Sequence, residues 1–322
     1  MPESSPAFPL DPSTRVYVAG HRGLAGSAVW RALEQRGVTD LVGVPSADLD
    51  LRDRDAVDRF FDDVRPTVVV DAAARVGGIL ANATQPADFL SDNVRIQVNL
   101  LDAAVRTGVQ RFLFLGSTCI YPRLAPQPIT EDALLTGPLE ETNDAYAIAK
   151  IAGVLHVQAI RRQHGLPYVS AMPTNLYGPG DNFSATGSHV LPALLRRFHE
   201  AARDGVDEVV CWGTGEPRRE FLHSDDFASA ALFLLEHYDD PAPINVGVGE
   251  DLTVKELATT IAQVVGYRGR IVWDSTKPDG TPRKLLSVDR LTRLGWKASV
   301  SLREGIESTY RWYLEHEGQV RR

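Results

Sequence analysis

Tyr146 and Lys150, in the run Tyr-Ala-Ile-Ala-Lys, stand four residues apart, a separation that puts two side chains on one face of a helix. A phenol titrates near ~10 in water, and an ammonium beside it favours the phenolate and makes the hydroxyl a readier proton donor near neutrality. A carbonyl needs such a donor when hydride turns it into an alcohol, so the pair points to nicotinamide-dependent carbonyl chemistry. A solvated helix face carries the same spacing. The pair gains meaning from its company, Ser117-Thr-Cys119 upstream and Gly20, Gly23 and Gly26 near the start of the chain.

Ser117 follows the apolar run Phe112 to Leu115, at the carboxyl end of an expected strand, where open α/β sheets place their ligands. Its hydroxyl could donate to a carbonyl beside Tyr146; a serine there is also an ordinary turn residue. Cys119 is expected on the same side of an extended chain as Ser117. It reads either as a buried structural cysteine or as a base that takes a proton from carbon where positive charge lowers its pKa. His189, in Thr-Gly-Ser-His-Val-Leu-Pro, precedes an amphipathic segment running to about Ala202. It reads as structural or as facing a substrate from its polar loop.

Gly20-His-Arg-Gly23-Leu-Ala-Gly26 follows the first expected strand and opens the first expected helix, the context of a dinucleotide-binding turn. Glycine lets the backbone turn sharply and approach a pyrophosphate at the positive helix end. The expected cofactor contacts here are Gly20, His21, Arg22, Gly23, Leu24, Ala25 and Gly26. Arg22 could reach an adenosine 2′-phosphate, which favours NADP; a solvent-facing arginine is the other reading. After the second strand the chain reads Val44-Pro-Ser46-Ala-Asp48-Leu-Asp50, with acidic residues slightly late for the ribose contact of an NAD enzyme.

Elements that would hold these residues are legible from the hydrophobic pattern. Short apolar runs at Val16 to Ala19, Leu41 to Val44, Val68 to Val70, Phe112 to Leu115 and Tyr168 to Ala171 alternate with longer amphipathic segments such as Leu24 to Arg36. That alternation predicts an α/β fold, a Rossmann-type doubly wound parallel sheet. Proline and glycine clusters at 173–180 and 213–217 predict loops rather than new strands. Beyond them come a strand at Val209 to Cys211, a helix near Asp225 to His237, a strand at Ile244 to Val246, a helix from Val254 to Val265 and a strand at Ile271 to Trp273. The expected division is a loose leader over 1–14, with four prolines, a dinucleotide-binding domain over 15–175 with later segments returning to it, and an interwoven, smaller C-terminal α/β substrate-binding lobe over 176–322.

The chain has 322 residues, 43% of them hydrophobic and 24% charged, enough for a large core. A net charge of −8 argues against nucleic-acid or acidic-membrane partners. The two cysteines, Cys119 and Cys211, have no metal-ligand spacing, so no metal and no disulfide framework is expected, and a reducing cytoplasm fits. No apolar run is long enough to span a bilayer.

Several longer segments carry a family resemblance. Gly-His-Arg-Gly-Leu-Ala-Gly-Ser at 20–27, Ala-Arg-Val-Gly-Gly-Ile at 74–79, Leu-Gly-Ser-Thr-Cys-Ile-Tyr-Pro at 115–122 and Tyr-Ala-Ile-Ala-Lys-Ile-Ala-Gly at 146–153 resemble the GDP-L-fucose synthases. So do Met-Pro-Thr-Asn-Leu-Tyr-Gly-Pro at 172–179, the run from His189 to Glu200, and Lys-Pro-Asp-Gly-Thr-Pro-Arg-Lys at 277–284. These are extended short-chain dehydrogenases that act as GDP-4-keto-6-deoxy-D-mannose 3,5-epimerase-4-reductases. The glycine turn and the Tyr/Lys pair are common to the class, whereas the segments at 117–122 and 172–179 are far more specific.

The resemblance implies a reductase triad of Ser117, Tyr146 and Lys150, with Cys119 and His189 as base and acid of epimerisation. It implies NADPH held by the glycine turn, by Leu115, Gly116, Ser117 and Thr118, by Lys150 at the nicotinamide ribose, and by Pro173, Thr174, Asn175, Leu176 and His189. For the nucleotide-sugar substrate it nominates Arg197, Trp212, Arg219 and Asp279; two arginines suit a diphosphate. It further implies a homodimer through helices that include the Tyr/Lys helix, whose remaining apolar face is Ile148, Ile151, Val154 and Leu155. One departure stands out: relatives in bacteria commonly carry arginine after the second strand, where this chain has Val44-Pro-Ser46-Ala, so NADP preference rests on Arg22. Two other readings stay open, an epimerase or ketoreductase for a different NDP-4-keto-6-deoxy sugar, and a non-catalytic dinucleotide sensor.

Overall fold

A computed structural model describes residues 8–184, 187–277 and 279–318, except for the side chains of residues 79 and 80. Its first half alternates strand and helix: β1 (Val16–Ala19), α1 (Leu24–Gln35), β2 (Leu41–Val42), α2 (Arg54–Val64), β3 (Val68–Asp71), α3 (Ile79–Thr84), α4 (Pro86–Thr107), β4 (Arg111–Leu115), α5 (Asp144–His164) and β5 (Val169–Pro173). Then come β6 (Asn175–Tyr177), α6 (Val190–Asp204), β7 (Glu208–Trp212), β8 (Arg218–Arg219), β9 (Phe221–His223), α7 (Ser224–His237) and β10 (Ile244–Val246). The chain finishes with β11 (Leu252–Thr253), α8 (Val254–Val265), β12 (Arg270–Asp274), β13 (Arg283–Lys284), α9 (Asp289–Leu294) and α10 (Leu302–His316).

Six parallel strands form the main sheet in the order β10-β5-β4-β3-β1-β2. Alternate side chains of each strand enter different cores, because the side-chain period of a strand is two. Val16, Val18, Val68, Val70, Leu113 and Leu115 pack with α1 and α7 on one face. Tyr17, Ala19, Val69, Phe112 and Phe114 pack with α2, α4 and α5 on the other. Burial on both faces is why these strands read as unbroken apolar runs. The chain reverses its direction of travel across the sheet between β1 and β3, and such switch points are where open α/β sheets bind ligands beyond the strand ends. A third core joins Tyr177, Phe183 and apolar residues of α6, β7, α8 and α10.

Helix α5 lies close to the sheet because Gly153 faces the Phe114 ring, which a Cβ at that position would strike. It stops at Gly165, whose φ of 68° is a left-handed cap.

Three local expectations are corrected. The second strand is only Leu41–Val42, since Gly43 and Pro45 end it. The stretch 173–180 is not all loop: Asn175–Tyr177 pairs in parallel with β9, a long-range pairing that local proline and glycine content does not reveal. Of the segment read as a leader, residues 1–7 lie outside the described residues, whereas Leu10 is buried and the Phe8 amide donates to the Glu236 carbonyl at 2.9 Å. Apolar Phe8 and Leu10 anchor that part to the α7 side of the sheet.

Candidate active site

The glycine turn joins β1 to α1 at the switch point. Gly20 has φ of 77°, and a Cβ there would sit 2.8 Å from the Ala72 carbonyl just beyond β3. A Cβ on Gly26 would collide with the Gly20 carbonyl. The turn is closed by the Gly23 amide donating to the Gly20 carbonyl at 2.9 Å. Gly23 caps α1 with no side-chain bond, and no acidic residue occupies the first helical turn. The leading amides and the positive helix end therefore face a space kept clear of side chains, which fits a pyrophosphate. His21 packs its ring over Gly43 and lies 5.6 Å from the Trp30 ring; burial and then Arg22 lower its pKa. Arg22 is exposed and makes no ion pair among the described residues.

Tyr146 and Lys150 occupy the first turns of α5, and Ser117 and Cys119 lie just beyond β4. Ser117 caps a single 3₁₀ turn, Thr118–Ile120, so Cys119 is not on an extended chain with Ser117, as the local pattern suggested. Instead its amide donates to Ser117 Oγ at 3.2 Å. That turn sets Ser117 and Cys119 near enough to the Tyr146 phenol for both to act on it electrostatically. The Cys119 sulfur accepts a hydrogen bond from Asn143 Nδ2 at 3.3 Å.

Burial raises the Tyr146 pKa most, Cys119 raises it further, and only the bond from Ser117 lowers it. Lys150 donates from Nζ to the Leu115 carbonyl at 2.8 Å, and its ammonium stands 4.8 Å from the centre of the Phe114 ring. Its own pKa is lowered by burial and raised by Asp71.

His189 stands at the N-cap of α6, exposed on one side, and dense surroundings lower its pKa. A chain of contacts links it to Tyr146. The Phe89 ring meets Tyr146 edge-on at 6.4 Å; Phe89 packs against Gly77; and a Cβ on Gly78 would be 3.4 Å from the Ser188 carbonyl. Gly77-Gly78 thus forms the seam between the phenol and the histidine loop.

Leu115, Gly116 and Thr118 are buried around the end of β4, with Gly116 against the Met172 side chain. Pro173 and Thr174 are buried where β5 ends, and Asn175 and Leu176 are partly open. Asn175 Nδ2 is committed to the Glu220 carbonyl at 2.8 Å.

Trp212, Arg219 and Asp279 gather around the loop after β7. Trp212 is 68% exposed, with Lys277 over its ring at 5.8 Å. Asp279 holds the loop through the Thr214 amide and hydroxyl at 2.7 and 2.8 Å. Burial lowers the Arg219 pKa and Asp279 raises it, so the two are electrostatic neighbours. Arg197, exposed on α6, donates to the Val210 carbonyl at 2.8 Å. An exposed indole beside cationic groups suits a base and a diphosphate.

Ser117, Cys119, Tyr146 and Lys150 therefore lie together, the Ser188 carbonyl next to His189 comes near the Gly77-Gly78 seam, and Trp212, Arg219 and Asp279 form a polar group around the loop after β7. Sequence reading did not single out Asn143, Phe89 or Asp71. Gly77-Gly78 was the available signal for the seam; Asn143 and Asp71 carry none that spacing exposes.

Known proteins resemble the chain over most of its length. Residues 16–247 match the model of the "NAD dependent epimerase/dehydratase family". The chain is 55% identical over 306 residues to a GDP-L-fucose synthase of Arabidopsis thaliana, covering 95% of both chains. It is 54% identical over 316 residues to the GDP-L-fucose synthase of Escherichia coli K12, covering 95% of this chain and 98% of the other. A crystal structure of a GDP-L-fucose synthetase from Naegleria fowleri bound to NADP superimposes with a TM-score of 0.93 at 32% identity, covering 100% of this chain and 99% of the other. The glycine turn at the sheet's switch point, the Ser117/Tyr146/Lys150 group with Cys119, and near full-length identity to these relatives together establish that the chain belongs to the NAD dependent epimerase/dehydratase family and, within it, to the GDP-L-fucose synthases.

Proposed function

We infer that the protein is an NADPH-dependent enzyme that epimerises GDP-4-keto-6-deoxy-D-mannose at C3 and C5 and reduces its 4-keto group, giving GDP-L-fucose. The observation that supports this reading most is the placing of Cys119, whose backbone amide donates to Ser117 Oγ at 3.2 Å, beside the Tyr146 phenol on which Ser117 and Cys119 both act electrostatically. A plain ketoreductase has no use for a base beside the carbonyl, whereas an epimerase-reductase needs both.

The 4-keto group makes the hydrogens on C3 and C5 acidic, because the resulting carbanion is an enolate. Cys119, as thiolate, removes the proton. Ser117 and Tyr146 donate hydrogen bonds to the enolate oxygen, where charge develops. His189 returns a proton to the opposite face. NADPH, when bound, supplies the hydride that reaches C4. Tyr146 then gives its proton to the carbonyl oxygen, and Lys150, released from Leu115, holds the nicotinamide ribose and the charge left on the phenol. The Gly20 to Gly26 turn receives the pyrophosphate. Arg22 meets the 2′-phosphate. Arg197, Trp212, Arg219 and Asp279 take the GDP portion of the substrate.

The reading extends to a homodimer through α5, where Ile148 and Leu155 are 47% and 42% exposed while Ile151 and Val154 turn into the core. It also extends to a cytoplasmic setting, supported by two free cysteines; among the described residues no helix is long and apolar enough to cross a membrane. Incubation with GDP-4-keto-6-deoxy-D-mannose and NADPH, followed by NMR of the product, is expected to show the L-fucose configuration with stoichiometric NADPH oxidation. A product with unchanged C3 and C5 would replace this reading with simple ketoreduction.

A further inference from the structure

Asp71 ends β3 in the heart of the sheet and is fully buried. One carboxylate oxygen accepts the Ala73 amide at 3.2 Å. The other meets no hydrogen-bond donor among the described residues. Neither the hydride step nor the epimerisation assigned above uses it, and an ionised carboxylate in such a place is destabilising unless a cation compensates it.

The sheet register identifies that cation. Asp71 shares its strand face with Val69, which packs toward α4 and α5. In the neighbouring strand Asp71 lies opposite Phe114, whose ring carries the Lys150 ammonium 4.8 Å from its centre. Lys150 is 3% exposed, and among the described residues its ammonium donates only to the neutral Leu115 carbonyl.

We propose that Asp71 is a positioning residue of the reductase, the buried counter-charge that keeps Lys150 an ammonium in a dry site and so keeps Tyr146 competent as a proton donor. The proposal rests on the reductase reading given above. An ammonium this deeply buried and without a counter-charge loses its proton far below its usual range. Burial pushes the Asp71 carboxyl up to about 6, with Lys150 pulling it back down, so the carboxylate is charged in the neutral and alkaline range, where Lys150 has to be held.

Other groups facing the pair do not take over this role. From β1, Tyr17 is pushed up by burial and further by Asp71 itself, and stays neutral. Tyr146 precedes Lys150 by one helical turn and is likewise raised. Cys119 approaches Tyr146 from the segment after β4. From α4 comes neutral Gln97, bonded to the Ala149 carbonyl at 2.7 Å, while Asp92 of the same helix is taken by Arg75 at 2.8 Å.

The test compares NADPH oxidation by wild type and Asp71→Asn with GDP-4-keto-6-deoxy-D-mannose from pH 6 to pH 10, with thermal melts confirming the fold. Asparagine keeps the shape and removes the charge. The alkaline limb of kcat is expected to move down by about one pH unit or more, so that activity at pH values above the limb falls about tenfold. Asp71→Leu, which fills the site without a polar group, is expected to move the limb the same way. A limb unmoved in an active, folded variant overturns the proposal alone. Absence of NADPH oxidation by wild type at every pH overturns the reductase reading, and the proposal falls with it.

Discussion

Asn143 donates from Nδ2 to the Cys119 sulfur at 3.3 Å, while its Oδ1 is buried without a hydrogen-bond partner among the described residues. Asparagine at an N-cap position ordinarily bonds the first turn of its helix. At the start of α5 it makes no such bond and serves the thiol instead.

A donor aimed at sulfur steadies the anion that attacks. Asn143→Ala is expected to slow both iodoacetamide alkylation of Cys119 at pH 7.5 and solvent deuterium uptake at C3 and C5, each by about tenfold, as loss of one hydrogen bond to a charged group implies. Asn143→Asp, which places an anion beside the sulfur, is expected to slow both at least as much. Unchanged alkylation in either variant would show that the bond does not activate the thiol.

Cys119→Ser is expected to suppress deuterium incorporation at C3 and C5 by about a hundredfold or more, because an alcohol is a far weaker base than a thiolate at neutral pH. NADPH affinity, measured by fluorescence, should change less than twofold on the order-of-magnitude scale of a residue that does not touch the cofactor. Equal loss of exchange and of cofactor binding would remove Cys119 from its role as base.

Arg22 is exposed at the turn, with no partner in an ion pair among the described residues, and Ser46 offers no cation on the β2 side. Arg22→Ser is expected to raise KM for NADPH by about tenfold with little effect on NADH, as loss of one charge-assisted phosphate contact implies. Comparable kcat/KM for NADPH and NADH in the wild type would refute the cofactor preference assigned to this arginine.

Asp181 is buried, and burial pushes its carboxyl up to about 7 against the bond from the Asn182 amide. The folded state therefore holds this proton more tightly than the unfolded chain does. Its contribution to stability is present below about pH 4 and is lost as pH rises through about 7. Asp181→Asn keeps an oxygen for the Asn182 amide and removes the charge. It is expected to raise stability at pH 8 by on the order of 1–2 kcal/mol and to change it little at pH 4. Chemical denaturation at the two pH values checks this; an equal effect at both would assign the change to packing.

Much of the fold was legible because its signals are local. Val16 to Ala19, Phe112 to Leu115 and Ile244 to Val246 are buried on both sides of one sheet, so each reads as an apolar run. The helix expected over Val254 to Val265 has those bounds in the structure, with Gly266 as its left-handed cap. The glycine turn was legible because Gly20 and Gly26 answer backbone clashes within a few residues of themselves. Short β6 was not, since its partner β9 lies 46 residues on, from Asn175 to Phe221. Nor was the docking of Phe8 and Leu10, whose partners are in α7 and the sheet.

For the site, residue types and spacing determined the chemistry on offer: a phenol and an ammonium on one helix face, a hydroxyl and a thiol after a strand, and a glycine turn before a helix. Tertiary structure decided how those groups act on one another. The 3₁₀ turn at Thr118 to Ile120 swings Cys119 to Ser117, Asn143 gives up its cap to reach the sulfur, and β3 carries Asp71 alongside the Phe114 ring that holds Lys150. Hydrogen bonds and Coulomb interactions depend on distances through space and on the exclusion of water, and neither is set until distant strands and helices have packed.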